Sequence, residues 1–298
     1  MNTTVCAIIV LYEPNIKVLK DMLKSLENQL DYFIIIDNTP GEDNLRYINL
    51  RCMFEYVPLY KNIGIAGAQN IGVELARNKK YEFVLFSDQD TIYPKDYINV
   101  MMKCWNDLKN CENICAIAPL FKDKNKLGEN DGFIKSSYWG SKRFFPSKGI
   151  HEICQAISSG QIVKTEFFSI IGLFDERLFI DWVDLEWCWR ARAKGFKLLG
   201  NANIIIQHSL GNNAKSIGTR EINIRNPSRH YYITRNCIYL AINSKYIRST
   251  ERMVLLIKSF LYVLGFTFLS RGHAKNLRYT MVGLVDGIRG QLGGISLL

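Results

Sequence analysis

The 298-residue sequence lacks the cysteine spacing of a metal site or a disulfide framework. Its eight cysteines are scattered, with no CxxC pair. The closest group, Cys104, Cys111 and Cys115, has a spacing that structural zinc sites rarely use. The pattern therefore predicts small, buried, free thiols of the kind found in a reducing compartment.

The N-terminus lacks a basic region ahead of its first apolar run. That run, at 5–11, is too short for the core of a signal peptide followed by a cleavage site. Low-complexity tracts and tandem repeats are also absent. We therefore expect a chain that stays in the cytoplasm, with a length that allows one large domain or two modest ones.

Acidic residues are scarce in the last quarter of the chain. Residues 1–215 carry 26 Lys and Arg against 25 Asp and Glu, whereas residues 216–298 carry 12 against three. The net charge of +10 therefore lies almost entirely in the C-terminal region. Such asymmetry predicts an anionic partner, either nucleic acid or the anionic face of a membrane.

Apolar runs alternate with helical patterns over the first hundred residues. Four runs have the length and composition of buried strands, at 5–11, 32–36, 54–57 and 83–86. The segments 16–30 and 64–77 have helical spacing. The alternation predicts a mostly parallel sheet with helices on both faces, whose ligands bind beyond the carboxyl ends of the strands. Candidate polar residues follow these strands, namely Asp37, Asn62, Asp88 and Asp90.

The second half of the chain reads differently. Residues 128–149 look loop-rich, 174–196 read as a loop feeding a helix, and a helical, basic region follows residue 226. Within it, 253–269 is apolar apart from a few residues such as Lys258. Because these 17 residues fall short of the ~20 that a spanning helix needs, we expect a buried or interfacial helix.

Asp88 and Asp90 form a DxD pair directly after an apolar strand. Two carboxylates at i and i+2 can turn toward one ligand, and oxygen ligands suit Mg²⁺ or Mn²⁺ bound to a diphosphate. The alternative is a solvated turn. His208 follows a later predicted strand at 204–206. It could complete the metal shell, although a lone histidine is more often structural.

Two earlier features could contact a nucleotide. Asp37 could accept hydrogen bonds from a base or a ribose, although an Asx turn explains it equally well. The segment 61–72 contains Gly64, Gly67 and Gly72, and a helix that begins there could offer its N–H groups to phosphate. Its spacing matches neither a dinucleotide-binding GxGxxG nor a P-loop.

A third acidic cluster lies among indoles at 181–189. Burial beside Trp182 and Trp187 would raise the pKa of Asp184 and suit it to general-base chemistry, with Asp181 in reserve. Glu186 and Arg190, at i and i+4, form a natural helix pair. The alternative is a set of ordinary acids at a helix N-terminus.

Taken in order, these segments resemble the family-2 inverting glycosyltransferases of the GT-A fold, most closely their bacterial rhamnosyltransferase branch. The resemblance covers residues 5–240. Two of its segments are specific, GLFDERLFIDWVDLEWCWRARAKG at 172–195 and RHYYITRN at 229–236. Many relatives have Glu-Asp at the base site, whereas Val183 precedes Asp184 here, a form that the rhamnosyltransferase branch shares.

The resemblance implies a role for each matching position. Asp184 would be the base, Asp88 and Asp90 would hold the metal, and His208 would lie near it. Donor contacts are implied at Tyr12, Asp37, Asn62, Gly64, Asn70, Asp88, Gln89, Ser159 and Gly160. Acceptor contacts are implied at Trp182, Glu186, Arg229 and Arg235. The GT-A domain would span 1–215, with a donor half at about 1–100 and an acceptor half at about 101–215, and residues 216–298 would face a membrane or a second subunit.

The resemblance also implies a reaction and its partners. The donor would be a nucleotide sugar, most simply dTDP-β-L-rhamnose, and the product an α-L-rhamnoside made for a bacterial surface polysaccharide such as O-antigen. The acceptor would be a lipid-diphosphate-linked oligosaccharide at the inner face of the plasma membrane, because the basic, partly apolar C-terminal region suits an anionic surface. Another nucleotide sugar, such as a UDP-sugar, remains an alternative.

Two other functions compete on the residues alone. A nucleic-acid-binding protein would leave the acidic clusters at 88–90 and 181–186 unexplained, because carboxylates repel phosphates. A nucleotidyltransferase would need a Gly-rich, basic loop after the first strand, and Leu11-Tyr12-Glu13-Pro14 has none.

Overall fold

The structure is a computed structural model that describes residues 4–108, 113–123, 130–138, 140–208, 214–217, 220–223 and 225–295. Its strands are β1 (Val5–Leu11), β2 (Tyr32–Asp37), β3 (Met53–Pro58), β4 (Phe83–Asp88), β5 (Ile114–Asp123), β6 (Phe133–Ser137), β7 (Gly140–Phe144), β8 (Ile150–Ile153), β9 (Ile162–Lys164), β10 (Lys197–His208), β11 (Ala214–Ile217) and β12 (Arg220–Asn223). Its helices are α1 (Ile16–Leu26), α2 (Gly64–Asn78), α3 (Tyr97–Asp107), α4 (Phe167–Ile171), α5 (Val183–Ala193), α6 (Pro227–Asn243), α7 (Ser249–Leu269) and α8 (His273–Arg289).

Eight strands form the central sheet in the order β3-β2-β1-β4-β9-β5-β10-β8. The neighbours β3, β2, β1 and β4 run parallel, as do β5 and β10, while β9 is antiparallel to both β4 and β5. Every residue of β1 and β2 is buried, as expected for strands covered on both faces. The predicted mostly parallel α/β sheet is therefore confirmed.

The register of these strands brings their carboxyl ends to one edge. Leu11 of β1 pairs with Asp37 of β2, and Val10 pairs with Asp88 of β4. β4 runs two residues further than predicted, so Asp88 is its last residue. The loops that follow β1, β2 and β4 consequently meet at this edge, where α/β sheets bind their ligands.

Two apolar clusters cover the two faces of the sheet. The cluster on one face includes side chains of α1 and α3. The other includes side chains of α2, α5 and α6, among them Cys237 and Leu240. Because α6 shares this core, the C-terminal region packs against the sheet domain along part of its length.

The longest helix, α7, extends beyond the apolar stretch at 253–269. It begins at Ser249 and has 21 residues, four more than the apolar stretch in the sequence. Within the described part of the chain it is the one helix long and apolar enough to cross a membrane by length and composition. One face packs against α6 and α8 through residues such as Leu255 and Val263, while Phe260, Leu264 and Phe268 are exposed.

Secondary structure was harder to predict in the middle of the chain than at its ends. Residues 128–149, predicted as loop, contain the β6–β7 hairpin, and the short strands β8 and β9 were not predicted. α1 ends at Leu26 rather than at residue 30, and β10 extends on both sides of the predicted strand at 204–206.

Candidate active site

A cavity of about 930 Å³ opens at the carboxyl edge of the sheet. Eleven of the residues singled out from the sequence line it, namely Tyr12, Asn62, Gly64, Asp88, Gln89, Asp90, Ser159, Asp181, Trp182, Asp184 and Arg229. α6 and α7 close its far side. The sheet edge and the C-terminal helices therefore build one site together.

The DQD segment joins the ends of β1 and β4. The Gln89 side chain accepts a hydrogen bond from the Tyr12 N–H at 2.9 Å and donates one to the Tyr12 carbonyl at 3.0 Å. The Ser159 hydroxyl accepts from the Asp88 N–H at 3.4 Å and lies 2.8 Å from the Thr91 hydroxyl. These bonds fix the backbone from which Asp88 and Asp90 reach the cavity.

Oxygen donors of this kind fit a hard divalent cation. Asp88 and Asp90 both line the cavity, and a cation bound there would complete its coordination with diphosphate oxygens and water. Within the described ranges, no group of three or more His, Cys, Asp or Glu side chains could hold a metal by itself. The His208 side chain, a predicted metal neighbour, lies outside the described residues, although its backbone ends β10.

Two asparagines organise the opposite wall. The Asn38 amide donates to Asn62 Oδ1 at 3.0 Å, and Asn62 Oδ1 also accepts from the Gly64 N–H at 2.9 Å. Asn38 Oδ1 accepts from the Ile63 N–H at 2.8 Å. In the first turn of α2 the Gly64 and Ala66 N–H groups thus already have acceptors within the protein, Asn62 Oδ1 and the Phe179 carbonyl, so these two amides are not free for phosphate.

Gly64 is required at the start of α2. Its φ is +82°, and a Cβ there would lie 2.5 Å from the carbonyl oxygen of Phe179. Any other residue would therefore push away the 179–182 segment, which carries Asp181 and Trp182. Gly64 therefore allows the two walls of the cavity to approach each other.

Asp37 and Asn70 do not reach the cavity. The Asp37 carboxylate has no exposed surface and accepts hydrogen bonds from the Thr39 and Asn44 N–H groups, the Asn44 amide and the Tyr56 hydroxyl. Although burial raises its pKa, these hydrogen bonds outweigh burial and hold the pKa below the usual value. Asp37 thus anchors the loop after β2, as the alternative prediction of an Asx turn had it. Asn70 binds the Phe174 backbone and Glu176, and both predicted donor contacts are corrected to supporting roles.

Asp184 is the cavity carboxylate with the raised pKa. Its oxygens accept hydrogen bonds from the Ser158 N–H at 3.1 Å and the Leu185 N–H at 2.9 Å. Burial raises its pKa to about 6, more than these hydrogen bonds lower it, and the negative charges of Asp181 and Asp88 add to the rise. Such a carboxyl group can exchange a proton near neutral pH.

Asp181 is committed to an ion pair. Its two oxygens accept from Arg229 Nε at 2.7 Å and Nη2 at 2.8 Å, a bidentate contact. A guanidinium held in this way makes two charge-assisted hydrogen bonds, so both carboxylate oxygens of Asp181 already have a partner. The geometry therefore favours Asp184 over Asp181 as the proton acceptor, and Arg229 lines the cavity beside Asp181.

The segment before α5 has a strained backbone, which Asn236 of α6 holds in place. Phe179, Asp181 and Trp182 have positive φ values of 66°, 62° and 67°, which non-glycine residues rarely adopt. The Asn236 amide donates to the carbonyls of Leu178, Ile180 and Asp181 at 2.9 to 3.0 Å. These three hydrogen bonds keep the turn at 181–184 directed into the cavity.

Arg235 holds the same segment in place. It is fully buried, donates to the carbonyls of Gly293 and Leu178, and lies over the Tyr232 ring at 4.9 Å. It does not line the cavity, so the prediction of an acceptor contact is wrong. The Arg-Asn end of the RHYYITRN motif thus has a positioning role.

Two further predicted contacts also prove structural. Glu186 is buried and pairs with Arg190 at 2.8 Å, which confirms the helix pair and excludes the implied acceptor contact. Gly160 does not line the cavity. Its φ is +73°, and a Cβ there would lie 2.6 Å from the Ile206 side chain, so the position needs glycine for the backbone and the packing.

Several cavity residues were not found from the sequence. Arg225 lies just before α6, Gln155 and Trp189 face the cavity from the sheet domain, and α7 contributes Lys258 and Tyr262. The one available signal was Lys258, a cation inside an otherwise apolar run with Tyr262 one helical turn away.

Comparisons with known proteins identify relatives of this chain. Residues 6–157 match the family model described as glycosyl transferase family 2. The chain is 30% identical to the dTDP-rhamnosyl transferase RfbF of Shigella flexneri over 309 residues, which cover 99% of this chain and 98% of that one.

Solved structures resemble the fold at low sequence identity. The structure of Staphylococcus aureus TarS 1–349 in complex with UDP-GlcNAc matches with a TM-score of 0.58 and 12% identity over 96% of this chain and 81% of that chain. GalNAc-T7 with UDP, GalNAc and Mn²⁺ matches with a TM-score of 0.57 and 15% identity, over 86% of this chain and 55% of that chain. These likenesses show the GT-A fold.

The family model matches half of the chain, and the relative from Shigella flexneri aligns along its whole length. The chain belongs to glycosyl transferase family 2.

Proposed function

We propose that this glycosyltransferase moves L-rhamnose from dTDP-β-L-rhamnose to a hydroxyl group of a lipid-linked oligosaccharide, with inversion at the anomeric carbon. The observation that carries the proposal is the placement of Asp184 in the same cavity as Asp88 and Asp90. One carboxyl group with a pKa near neutrality can take a proton, while two others can hold a cation on a diphosphate.

The reaction is a single displacement. The acceptor oxygen forms a bond to the anomeric carbon of the donor as the bond from that carbon to the diphosphate oxygen breaks. Asp184 accepts the hydroxyl proton, and dTDP leaves from the opposite face of the sugar. This arrangement parallels inverting glycosidases, in which two catalytic groups stand on opposite sides of the ring.

Asp88 and Asp90 are the residues that would hold Mg²⁺ or Mn²⁺. When bound, the cation neutralises the charge that grows on the leaving diphosphate. GalNAc-T7, which has the same fold, was solved with Mn²⁺. Tyr12, Asn62, Gln89 and Ser159 line the donor end of the cavity and would orient the nucleotide sugar there.

The donor assignment is tested with a panel of nucleotide sugars. We expect dTDP-rhamnose with Mn²⁺ to raise the melting temperature of the protein more than any UDP-sugar, because the full-length relative is a dTDP-rhamnosyl transferase. A larger shift with a UDP-sugar would favour the alternative that the donor is a UDP-sugar. The complex of TarS with UDP-GlcNAc supports that class of donor. Stabilisation by dTTP together with a sugar phosphate, and by no nucleotide sugar, would favour a nucleotidyltransferase.

The raised pKa of Asp184 predicts how turnover depends on pH. The base works only when ionised, so kcat should fall as the pH drops through about 6 and be flat between about 7 and 8. A cation at Asp88 and Asp90 would offset the repulsion from Asp88, so the midpoint in the loaded enzyme lies at or below that value. A pH profile of kcat with saturating substrates checks this, and an acidic limb with a midpoint above 7 would contradict it.

We propose that the C-terminal helices bring the enzyme to the anionic inner face of the membrane. α7 and α8 expose apolar side chains on their outer sides, among them Phe260, Leu264, Phe268 and Met281. Arg271, Lys275 and Arg278 are exposed next to them. Since one face of α7 packs on α6 and α8, this helix is expected to lie in the interface rather than span it.

Liposome co-sedimentation tests the membrane proposal. Binding should require anionic lipid and weaken steeply with salt, since each cation near the surface contributes ~1 kcal/mol. Replacing Arg271, Lys275 and Arg278 with glutamine should reduce binding, whereas replacing Lys17, Lys20 and Lys24 of α1 should not. Binding that ignores lipid charge, or a stable dimer with no lipid binding, would instead assign the apolar face to a second subunit.

A further inference from the structure

Two arginines near the start of α6 line the cavity, and they differ in whether a carboxylate neutralises them. Arg229 holds both oxygens of Asp181, at 2.7 and 2.8 Å. Arg225 lies two residues before the helix and is half-buried. In the part of the chain that the structure describes, no carboxylate forms an ion pair with it. Arg225 therefore remains available to an anionic ligand.

The surroundings of Arg225 favour an anion with several charges. Burial lowers the pKa of its guanidinium and the charge of Arg229 lowers it further, whereas the carboxylates of Asp181 and Asp90 raise it. Arg225 thus lies within electrostatic reach of Asp90, one of the two acids proposed to hold the cation. A diphosphate suits such a position, because a guanidinium can donate two parallel hydrogen bonds to phosphate oxygens.

A buried histidine fixes the backbone of Arg225. His230, in the second turn of α6, has no exposed surface, and its Nε2 accepts a hydrogen bond from the Arg225 N–H at 3.0 Å. Its ring stacks on Phe266 of α7, with centroids 3.9 Å apart and planes 6° apart. The ring can therefore neither tilt nor withdraw without breaking contacts on both sides, so the start of the Arg225 side chain is held in place.

The hydrogen bonds of Asn276 determine which ring nitrogen of His230 carries the proton. The Asn276 amide donates to the carbonyls of Arg271 and Gly272 at 2.9 and 3.1 Å, and carbonyls only accept. Asn276 Oδ1, 2.7 Å from His230 Nδ1, consequently accepts from that nitrogen. Nε2 then keeps the lone pair that the Arg225 N–H requires. Burial lowers the pKa of His230, which keeps the ring in this neutral form near pH 7.

These hydrogen bonds form a continuous path from the turn between α7 and α8 to the cavity. The carbonyls of the turn hold Asn276, Asn276 holds His230, and His230 holds the backbone of Arg225. His230 and Asn276 are both buried, and neither lines the cavity. They can therefore act on a ligand only through Arg225.

We infer that Arg225 binds the diphosphate of the nucleotide, and that His230, oriented by Asn276, is the positioning residue that holds Arg225 at the cavity. Arginine has a long side chain with many rotamers, so a fixed backbone lowers the entropy that is lost when its guanidinium meets phosphate. The same positive charge would stabilise the diphosphate as it leaves the sugar. We rest this inference on the proposed function, because it takes a nucleoside diphosphate to be the leaving group.

Calorimetry with dTDP and Mn²⁺ tests both residues in one cycle of variants. Arg225→Gln should weaken dTDP binding at least about tenfold, the scale of lost charge-assisted hydrogen bonds. His230→Asn keeps a donor near the place of Nδ1 but has no acceptor at that of Nε2, so we expect a loss of about fivefold. His230→Gln brings an amide oxygen to the place of Nε2 and should restore most of the affinity.

The decisive comparison is His230→Asn made in the Arg225→Gln protein. Because His230 acts through Arg225, the second substitution should then have no further effect on dTDP affinity. An equal loss with and without Arg225 would reduce His230 to a residue that supports the fold of α6, and unchanged affinity in Arg225→Gln would remove the diphosphate contact. Either result would overturn the inference.

Two controls accompany the cycle. Lys245→Gln removes an exposed cation just beyond the other end of α6 and should leave dTDP affinity unchanged. The same titrations with UDP separate this inference from the donor assignment. If UDP binds and dTDP does not, the donor proposal fails, and the cycle of variants measured with UDP still decides the roles of Arg225 and His230.

Discussion

Replacing Asp184 with asparagine should lower turnover by about 10²-fold or more while donor affinity survives. The carboxylate has backbone hydrogen bonds to both oxygens, a pKa raised to about 6 and a place in the cavity shared with Asp88 and Asp90. Asparagine keeps the shape and one acceptor oxygen but cannot take a proton. Initial rates at saturating donor and acceptor measure the loss, and calorimetry with the donor measures the retained binding.

The folded state of the Asp184→Asn variant can be checked through its stability. Because the pKa of Asp184 is raised in the folded protein, its ionised form disfavours folding above that pKa, so the neutral variant should melt no lower than the wild type at pH 8. Asp181→Asn is the matched comparison. It breaks the bidentate pair with Arg229, so it should disturb the strained turn and lower the melting temperature. Near-normal turnover in Asp184→Asn with a 10²-fold loss in a well-folded Asp181→Asn would transfer the base to Asp181.

Replacing Asp88 or Asp90 with alanine should abolish the metal-dependent part of donor binding. Asp88 ends β4, and hydrogen bonds of Gln89 and Ser159 fix the backbone that carries both carboxylates. The other two aspartates of the cavity are already engaged, because Asp181 pairs with Arg229 and Asp184 accepts from two backbone N–H groups. We expect the affinity for dTDP-rhamnose in Mn²⁺ to fall at least about tenfold, to the value that the wild type shows in EDTA.

Asp96→Ala is the control for these two variants. Asp96 is an exposed acidic residue close in sequence, at the start of α3, and its side chain makes no capping hydrogen bond. Its removal changes the net charge equally but should leave the effect of Mn²⁺ intact. Unchanged affinity in both Asp88→Ala and Asp90→Ala would contradict the metal site.

The sequence was most informative where one physical signal dominated. The runs at 5–11 and 32–36 are apolar throughout because both faces of β1 and β2 are covered, so strand type and sheet class could be predicted together. The gathering of Asp88 and Asn62 at one edge followed from the parallel arrangement. The Glu186–Arg190 pair followed from helical spacing alone.

Long-range packing decided what the sequence could not show. Asp37, Asn70 and Arg235 have the residue types of ligand contacts, but each is buried and bonded to backbone groups distant in sequence or in a tight loop. The surroundings of Asp37 depend on the fold of the loop after β2, and those of Asn70 on how the 174–176 segment packs against α2. Those of Arg235 depend on how α6 packs behind the 177–181 segment, and no local pattern encodes any of these contacts. The role of α7 could not be predicted either. Its apolar composition does not indicate that one strip of the helix faces the cavity.

Proton NMR can follow the consumption of dTDP-β-L-rhamnose with Mg²⁺ or Mn²⁺ and a lipid-diphosphate-linked glycan acceptor, and it tests the inverting mechanism and its base together. We expect the wild type to release dTDP and form an α-L-rhamnoside. Asp184→Asn should form it at least about 10²-fold more slowly, and Asp88→Ala at least about tenfold more slowly. A β-L-rhamnoside as the product, or equal rates in the wild type and Asp184→Asn, would contradict an inverting mechanism with Asp184 as its base.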